Sequence, residues 1–172
     1  MTRYKLTVEY DGTGYVGWQR QDNGPSIQAA LEAAVYAFSD EAAVVHGAGR
    51  TDAGVHAEAQ MAHVDIAKDV GADTVRDAMN HFLLDVPISV LRAEAVDNDF
   101  HARYAATARH YRYRILNRRP QPALDAGRVW WVRVGLDADA MADAAQELLG
   151  HHDFTSFRAT LCQAKSPVKT LD

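Results

Sequence analysis

One carboxylate stands in a glycine-rich connection that could present it to a substrate. In the stretch GAGRTDAG, Asp52 follows Arg50 by two residues. The glycines Gly47, Gly49 and Gly54 allow another group to approach the backbone closely. An ionised carboxylate can act as a nucleophile or a base, and arginine suits contacts with phosphates and bases. We therefore predict that this loop presents Asp52 for chemistry, with Arg50 on the substrate beside it.

Two other interpretations of Asp52 stay open. Glycine turns often contain an aspartate that has no function. A metal-dependent phosphotransferase would also use an aspartate, but such enzymes place further carboxylates beside it to hold Mg²⁺. The nearest acidic residues on either side of the loop, Glu41 and Glu58, have no useful spacing from Asp52.

A second candidate feature is a basic segment with interleaved tyrosines. The window from Phe100 to Leu124 holds six arginines and no Asp or Glu, so it carries +6. Because the whole chain carries −5, the remainder carries −11. Such a stripe can bind phosphates although the molecule is acidic. In the strand predicted within this window at Ala108–Asn117, Tyr111 and Tyr113 share one face, and we expect one to pack in the core and the other to offer its ring to a base.

Two further patterns do not predict sites. The segment from Gly12 to Gly17 matches G-x-G-x-x-G, but WQRQDNGPS separates it from the next helix, which argues against a dinucleotide site. His56 and His63, and the cluster His151–Asp153, lack a recognised metal-ligand spacing. We predict no metal site.

Alternating apolar and polar residues predict the strands that must position the Asp52 loop. These strands are Tyr4–Tyr10, Val44–His46, Ala59–Ile66, Ile88–Ala95, Ala108–Asn117 and the segment RVWWVRV. The loop therefore connects two strands. Strands and helices alternate with an antiparallel character, so we predict an α+β fold.

Three helices complete the pattern. Ser26 is predicted to cap the first, Asp73 or Thr74 the second, and Asp137 the third, with Gly150 at the C′ position. The residues predicted to face inward are Ile27, Ala30, Leu31, Ala34, Val35 and Phe38, then Val75, Ala78, Met79, Phe82 and Leu83, then Met141, Ala145, Leu148 and Leu149.

Composition limits the class of protein. The chain has 172 residues, 48% of them hydrophobic, which is enough for one domain or two small ones. No apolar run approaches the ~18 residues that a membrane span needs. The N-terminus does not have the pattern of a signal peptide. A single cysteine, Cys162, excludes an intrachain disulfide. We expect a soluble, cytoplasmic protein.

Four segments, in order, resemble the tRNA pseudouridine synthase A family. They are VEYDGTGYVGWQRQ, GAGRTDAGVHAEAQMAHVD, DFHARYAATARHYRYRILN and HHDFTSFRA. The resemblance covers nearly the whole chain from Tyr4 to Arg158. It implies an isomerase that converts uridine to pseudouridine in the anticodon stem-loop of tRNA, without a metal or an organic cofactor. The alternative is an inactive tRNA-binding module.

The resemblance also assigns roles to single residues. Asp52 matches the catalytic aspartate, and Arg50 matches the arginine that helps to evict and hold the base. Tyr111 matches the tyrosine that stacks on the target uracil, and Arg20 lies in a block at the RNA-binding face, which makes it a candidate phosphate contact.

The architecture implied by the resemblance has two similar α+β halves and a homodimer. On this basis residues 1–104 form the N-terminal half with the catalytic loop, and residues 105–172 form the beginning of an incomplete second half. The family's cation that pairs with the aspartate belongs to that second half, beyond these residues.

Overall fold

The computed structural model describes residues 1–158 and 166–172. They form two compact units, Met1–Tyr113 and Arg114–Asp172. The predicted domain boundary after residue 104 stays a prediction. Cys162 lies outside the described residues.

The first unit is built on a four-stranded antiparallel sheet, in which the first strand of the chain lies between the third and the fourth, and the second pairs with the third. Its elements are β1 (Thr2–Tyr10), α1 (Ile27–Ser39), β2 (His46–Gly47), β3 (Ala57–Ile66), α2 (Ala72–Phe82) and β4 (Ile88–Val96). The predicted strands near Tyr4, Ala59 and Ile88 are confirmed, and the short strand predicted at Val44–His46 is shifted toward the loop.

The central strand β1 shows the alternation that the sequence predicts. Tyr4, Leu6, Val8 and Tyr10 are at most 3% exposed and belong to the core shared with both helices. The other face carries cross-strand ion pairs. Lys5 Nζ lies 2.8 Å from Glu94 Oε2, and the guanidinium of Arg3 lies 2.7 Å from Asp65.

Helix α1 begins as predicted, because the Ser26 side chain accepts a hydrogen bond from the Ala29 N–H. The predicted cap of α2 is wrong, since Gly71 precedes its first residue and Asp73 lies in its first turn. An acidic residue there is favourable beside the exposed N–H groups. Asp73 also pairs with Arg76 at 2.9 Å.

The inward stripe of α2 is confirmed for Val75, Met79 and Leu83, which are all buried. The prediction for Phe82 is wrong, because its side chain is 48% exposed. Phe82 is the last residue of α2 and Leu83 is its C-cap, and it is the Leu83 side chain that packs in the core.

The second unit contains two small sheets and one helix. Its elements are β5 (Ile115–Asn117), β6 (Trp130–Val132), α3 (Ala138–Gln146), β7 (Gly150–Asp153), a 3₁₀ turn (Thr155–Phe157) and β8 (Val168–Leu171). β5 and β6 are parallel, and β7 and β8 are antiparallel. The α+β class with an antiparallel main sheet is confirmed, and each of the three described sheets is purely antiparallel or purely parallel.

The predicted strand Ala108–Asn117 is wrong for most of its length. Only Ile115–Asn117 pairs with another described strand, and residues 106–114 adopt no regular secondary structure. Alternation alone does not make a strand, because the backbone groups also need a partner along the ladder.

Helix α3 is capped as predicted, since Asp137 accepts a hydrogen bond from the Ala140 N–H at 2.9 Å. Its predicted inward residues are wrong: Met141, Ala145, Leu148 and Leu149 are all exposed. The helix ends at Gln146, so both leucines lie beyond it, and Gly150, with a φ of +98°, begins β7.

In the described ranges, no helix is both long and apolar enough to cross a membrane.

His63 on β3 is a buried histidine that the fold keeps uncharged. It is 2% exposed, and its Nδ1 accepts the Ala102 N–H at 3.2 Å. Burial, and then the nearby rings of His46 and His101, lower the pKa of His63 to about 4. His46 stacks on it with ring centroids 4.9 Å apart.

We predict that His63 makes the protein sensitive to acid. An unfolded histidine has a pKa of about 6.5, so the unfolded state binds more protons between that value and about 4. Stability should therefore fall as the pH drops through this window. His63→Gln should weaken the dependence, measured as urea midpoints at about pH 7, 5.5 and 4.5. His81→Gln, at an exposed histidine, is the control, and equal pH dependence in wild type and His63→Gln would contradict the prediction.

Candidate active site

The connection between β2 and β3 carries Asp52 beyond the ends of both strands. His46 and Gly47 pair with His63 and Ala62, and the Ala48 N–H continues the ladder to the Met61 carbonyl at 2.7 Å. Residues 50–56 belong to no strand, and Asp52 is exposed among them. The loop must therefore be held by contacts outside the ladder.

A second loop, the β1–α1 connection of residues 11–26, packs against it backbone to backbone. The Trp18 N–H donates to the Thr51 carbonyl at 2.9 Å, and the Gly54 N–H donates to the Tyr15 carbonyl at 3.3 Å. A Cβ at Gly17 would lie 2.5 Å from the Thr51 oxygen, and one at Gly12 would lie 2.1 Å from the Val55 oxygen.

These contacts explain the glycines of the misleading G-x-G-x-x-G pattern. Gly12 and Gly17 leave room for the backbone of the Asp52 loop, whereas Gly14 faces open space. Gly47 has a comparable role, because a Cβ there would lie 2.6 Å from the buried Trp18 ring. The prediction that Gly47 admits a substrate is therefore replaced by a packing role.

Two side chains of the sheet, one on β1 and one on β3, form hydrogen bonds to the loop. The hydroxyl of Tyr10 lies 2.8 Å from Thr51 Oγ1, and the amide of Gln60 donates to the Gly49 carbonyl at 3.1 Å. Tyr10 is 3% exposed, and burial raises its pKa above the ordinary value. Its hydroxyl therefore stays neutral and acts as a fixed anchor on the residue before Asp52.

His56 closes the far side of the loop. Its Nδ1 lies 3.1 Å from the Gly12 N–H and 3.0 Å from Asp11 Oδ1. Asp11 also accepts the Thr13 N–H at 2.9 Å. His56 thus joins the two loops. Among the described residues, no group of three or more His, Cys, Asp or Glu side chains has an arrangement that could hold a metal ion.

The segment with Tyr111 runs past the base of the loop. Arg109 Nη2 donates to the Ala48 carbonyl at 2.8 Å, and Arg112 Nη1 lies 3.2 Å from Glu58 Oε1. The structure thus brings the Tyr111 segment and the loop of Arg50 and Asp52 together.

The expectation that one of the two tyrosines packs in the core is wrong. Tyr111 is 72% exposed and Tyr113 is 87% exposed. Their segment forms no strand, so strand alternation does not decide where the rings lie.

Arg20 is held by a buried network that lies beside the start of α1. Its Nη2 lies 2.7 Å from Oε2 of Glu32, a carboxylate only 9% exposed. The other oxygen of Glu32 accepts the Val45 N–H at 3.1 Å and the Gln28 amide at 3.0 Å. The Arg20 side chain remains 59% exposed, so its other donors can meet solvent.

Sequence reasoning missed the residues that support the loop. No sequence motif marks the residues that anchor the loop, which are Tyr10, Trp18, Gln60 and Arg109. One signal was available, since Tyr10 is the last inward position of β1 and Trp18 is a large apolar residue within a loop. Their partners are far along the chain, and a single sequence does not reveal such pairs.

Comparison with known proteins gives a consistent result. A profile of the family described as tRNA pseudouridine synthase matches residues 6–105 and 144–172. The tRNA pseudouridine synthase A of Rhodospirillum centenum is 63% identical over 171 residues, covering 99% of this chain and 70% of that protein. Its counterpart from Paramagnetospirillum magneticum is 60% identical over 172 residues, 100% of this chain and 67% of the relative. The protein of the same name from Brucella ovis is 63% identical over 174 residues, which cover 100% of this chain and 69% of that protein.

The tight packing at Gly17 gives a testable prediction with an internal control. Gly17 has a φ of +113° and Gly14 a φ of +82°, so alanine is strained at both positions. Gly14→Ala should cost about 1–2 kcal/mol from this strain alone. Gly17→Ala should cost more, because the added methyl group must also displace the Thr51 carbonyl. Urea unfolding measures both losses, and equal losses would contradict the proposed packing.

Proposed function

Because the chain belongs to the tRNA pseudouridine synthase family, we propose that it isomerises uridine to pseudouridine in tRNA. In this reaction the bond from C1′ to N1 of uracil breaks, the base turns over, and a bond from C1′ to C5 forms. N1 gains a proton and C5 loses one. The product has the same atoms as the substrate, so the reaction balances without a co-substrate.

We assign the central step to Asp52. The observation that carries this assignment is an exposed carboxylate on a loop whose backbone is anchored on both sides of it, at Thr51 and at Gly54. Ionised, Asp52 can attack C1′, or it can remove the 2′ proton so that a glycal forms. Both routes need the carboxylate charged when the nucleotide shields it from water, and a nearby cation stabilises that form.

The target nucleotide must leave its stack before this chemistry. Flipping costs a few kcal/mol. We assign Tyr111 to stacking on the uracil and Arg50 to holding the evicted nucleotide, since both are exposed. Stacking of a base on an aromatic ring contributes ~1–3 kcal/mol, which offsets much of the cost. Arg20 is proposed to contact a phosphate while it keeps its ion pair with Glu32.

The finer assignments follow from the family resemblance. We propose the anticodon stem-loop as the region modified, a cytoplasmic location, and a homodimer in the full-length protein. The alternative is that residues 1–172 bind tRNA without catalysis, because the family's charge partner of Asp52 lies in the second half.

The first test replaces Asp52 by Asn in the longest form of the chain that its gene encodes. The expected result is loss of turnover by about 10³-fold or more, because the amide is neither a nucleophile nor a base. The tRNA dissociation constant should stay within about threefold. Loss of the C5 proton gives the measurement: tRNA labelled with tritium at uracil C5 releases the label as pseudouridine forms.

Asp22→Asn is the matched control, since it removes one exposed negative charge from a neighbouring loop. Normal turnover in Asp52→Asn would refute the assignment of Asp52. If residues 1–172 bind tRNA but release no tritium while the longer form is active, the alternative holds for this part of the chain.

The second test concerns stacking. Tyr111→Ala should lower kcat/KM by about 10- to 100-fold, because the ring face is lost, while Tyr111→Phe should retain most activity. Tyr113→Ala is the control, as this ring is also exposed and lies two residues away. Equal losses at the two positions would argue against a specific role for Tyr111.

A further inference from the structure

Arg109 is placed to link the Tyr111 segment to the Asp52 loop. Its Nη2 donates to the carbonyl of Ala48, a residue 6% exposed whose N–H is fixed to β3. The Arg109 side chain also lies beside Gly49, the residue after Ala48. A Cβ at Gly49 would lie 3.5 Å from Arg109 Nε and 3.8 Å from its Cδ. The guanidinium therefore lies along the backbone just before Arg50.

Among the described residues, few other contacts join the segment of Arg109 to the Asp52 loop and β3. Residues 106–114 form neither helix nor strand, so no ladder holds them to the sheet. The neighbouring contact between Arg112 and Glu58 joins two side chains that are 73% and 84% exposed. Such exposed pairs contribute little. The hydrogen bond of Arg109 to a buried carbonyl is the better anchor.

We propose that Arg109 is a positioning residue that sets the distance between the Tyr111 ring and the Asp52 carboxylate. This inference rests on the proposed function for its catalytic consequence. Arg109 precedes Tyr111 by two residues, and its partner Ala48 precedes Asp52 by four, so one contact fixes both short segments. It acts through these residues and not as a ligand of the RNA backbone.

The competing role, a phosphate contact within the basic window, makes different predictions. A lost phosphate contact weakens tRNA binding. It also lowers the slope of log K against log[salt] by about one. A lost positioning contact leaves both nearly unchanged and lowers the rate of the chemical step. A misplacement of about 1 Å can reduce such a rate by about 100-fold.

The experiment compares Arg109→Gln with Arg112→Gln in the longest form of the chain that its gene encodes. Both remove one positive charge from the same segment. Arg109→Gln should lower the single-turnover rate at saturating tRNA by about 10-fold or more while the salt slope is kept. In a Tyr111→Ala background the same substitution should cost distinctly less, because the ring it positions is gone. A reduced salt slope with an unchanged rate, or full additivity with Tyr111→Ala, would overturn the proposal.

A structural measurement separates this inference from the proposed function. In residues 1–172, Arg109→Gln should shift the backbone amide NMR signals of residues 49–52, whereas Arg112→Gln should leave them in place. Unchanged signals in Arg109→Gln would refute the positioning role whether or not pseudouridine is made. Absence of product from the wild type of the longest form that the gene encodes, with the expected signal shifts in residues 1–172, would instead refute the proposed function.

Discussion

The loop that carries Asp52 has to satisfy its backbone groups without a sheet ladder, and the surrounding structure meets this need. Buried N–H and C=O groups require partners. The ladder of β2 and β3 ends at Ala48, and the next partners come from Trp18, Tyr15 and the side chain of Gln60. At Gly12 and Gly17 the two backbones come so close that an added Cβ would lie 2.1 Å from the Val55 oxygen and 2.5 Å from the Thr51 oxygen. Gly12 and Gly17 are therefore needed for the packing that holds the Asp52 loop in place.

The arginines around this loop differ in what compensates their charge. Arg20 faces the buried carboxylate of Glu32, and Arg112 faces Glu58. Removing Arg20 from Glu32 would leave a buried charge unpaired, which is costly. A guanidinium has five donors, so Arg20 can contact a phosphate without giving up this ion pair. The proposed phosphate contact of Arg20 depends on this ion pair, which fixes where the guanidinium lies.

The local part of this architecture was predictable from sequence. Strand alternation in β1, β3 and β4 and the caps at Ser26 and Asp137 depend on neighbours within a few residues. The failures have a common cause. Tyrosine and arginine alternate within residues 108–114, but these residues pair with no described strand. The apolar residues of α3 are exposed, because no described residue of the same unit covers them. Likewise, Asp52 was recognisable by type, but its support by Tyr10, 41 residues before Thr51, was not.

The partner of Arg109 gives that residue a distinct electrostatic role. A backbone carbonyl is neutral, so the hydrogen bond to Ala48 leaves the full positive charge in place at the base of the loop. Tyr10 beneath the loop stays neutral because burial raises its pKa, and it adds no opposing charge. An incoming nucleotide displaces water, which strengthens every remaining interaction with the fixed charge. The proposed anchor of the Tyr111 segment is thus a charged donor bonded to a neutral acceptor.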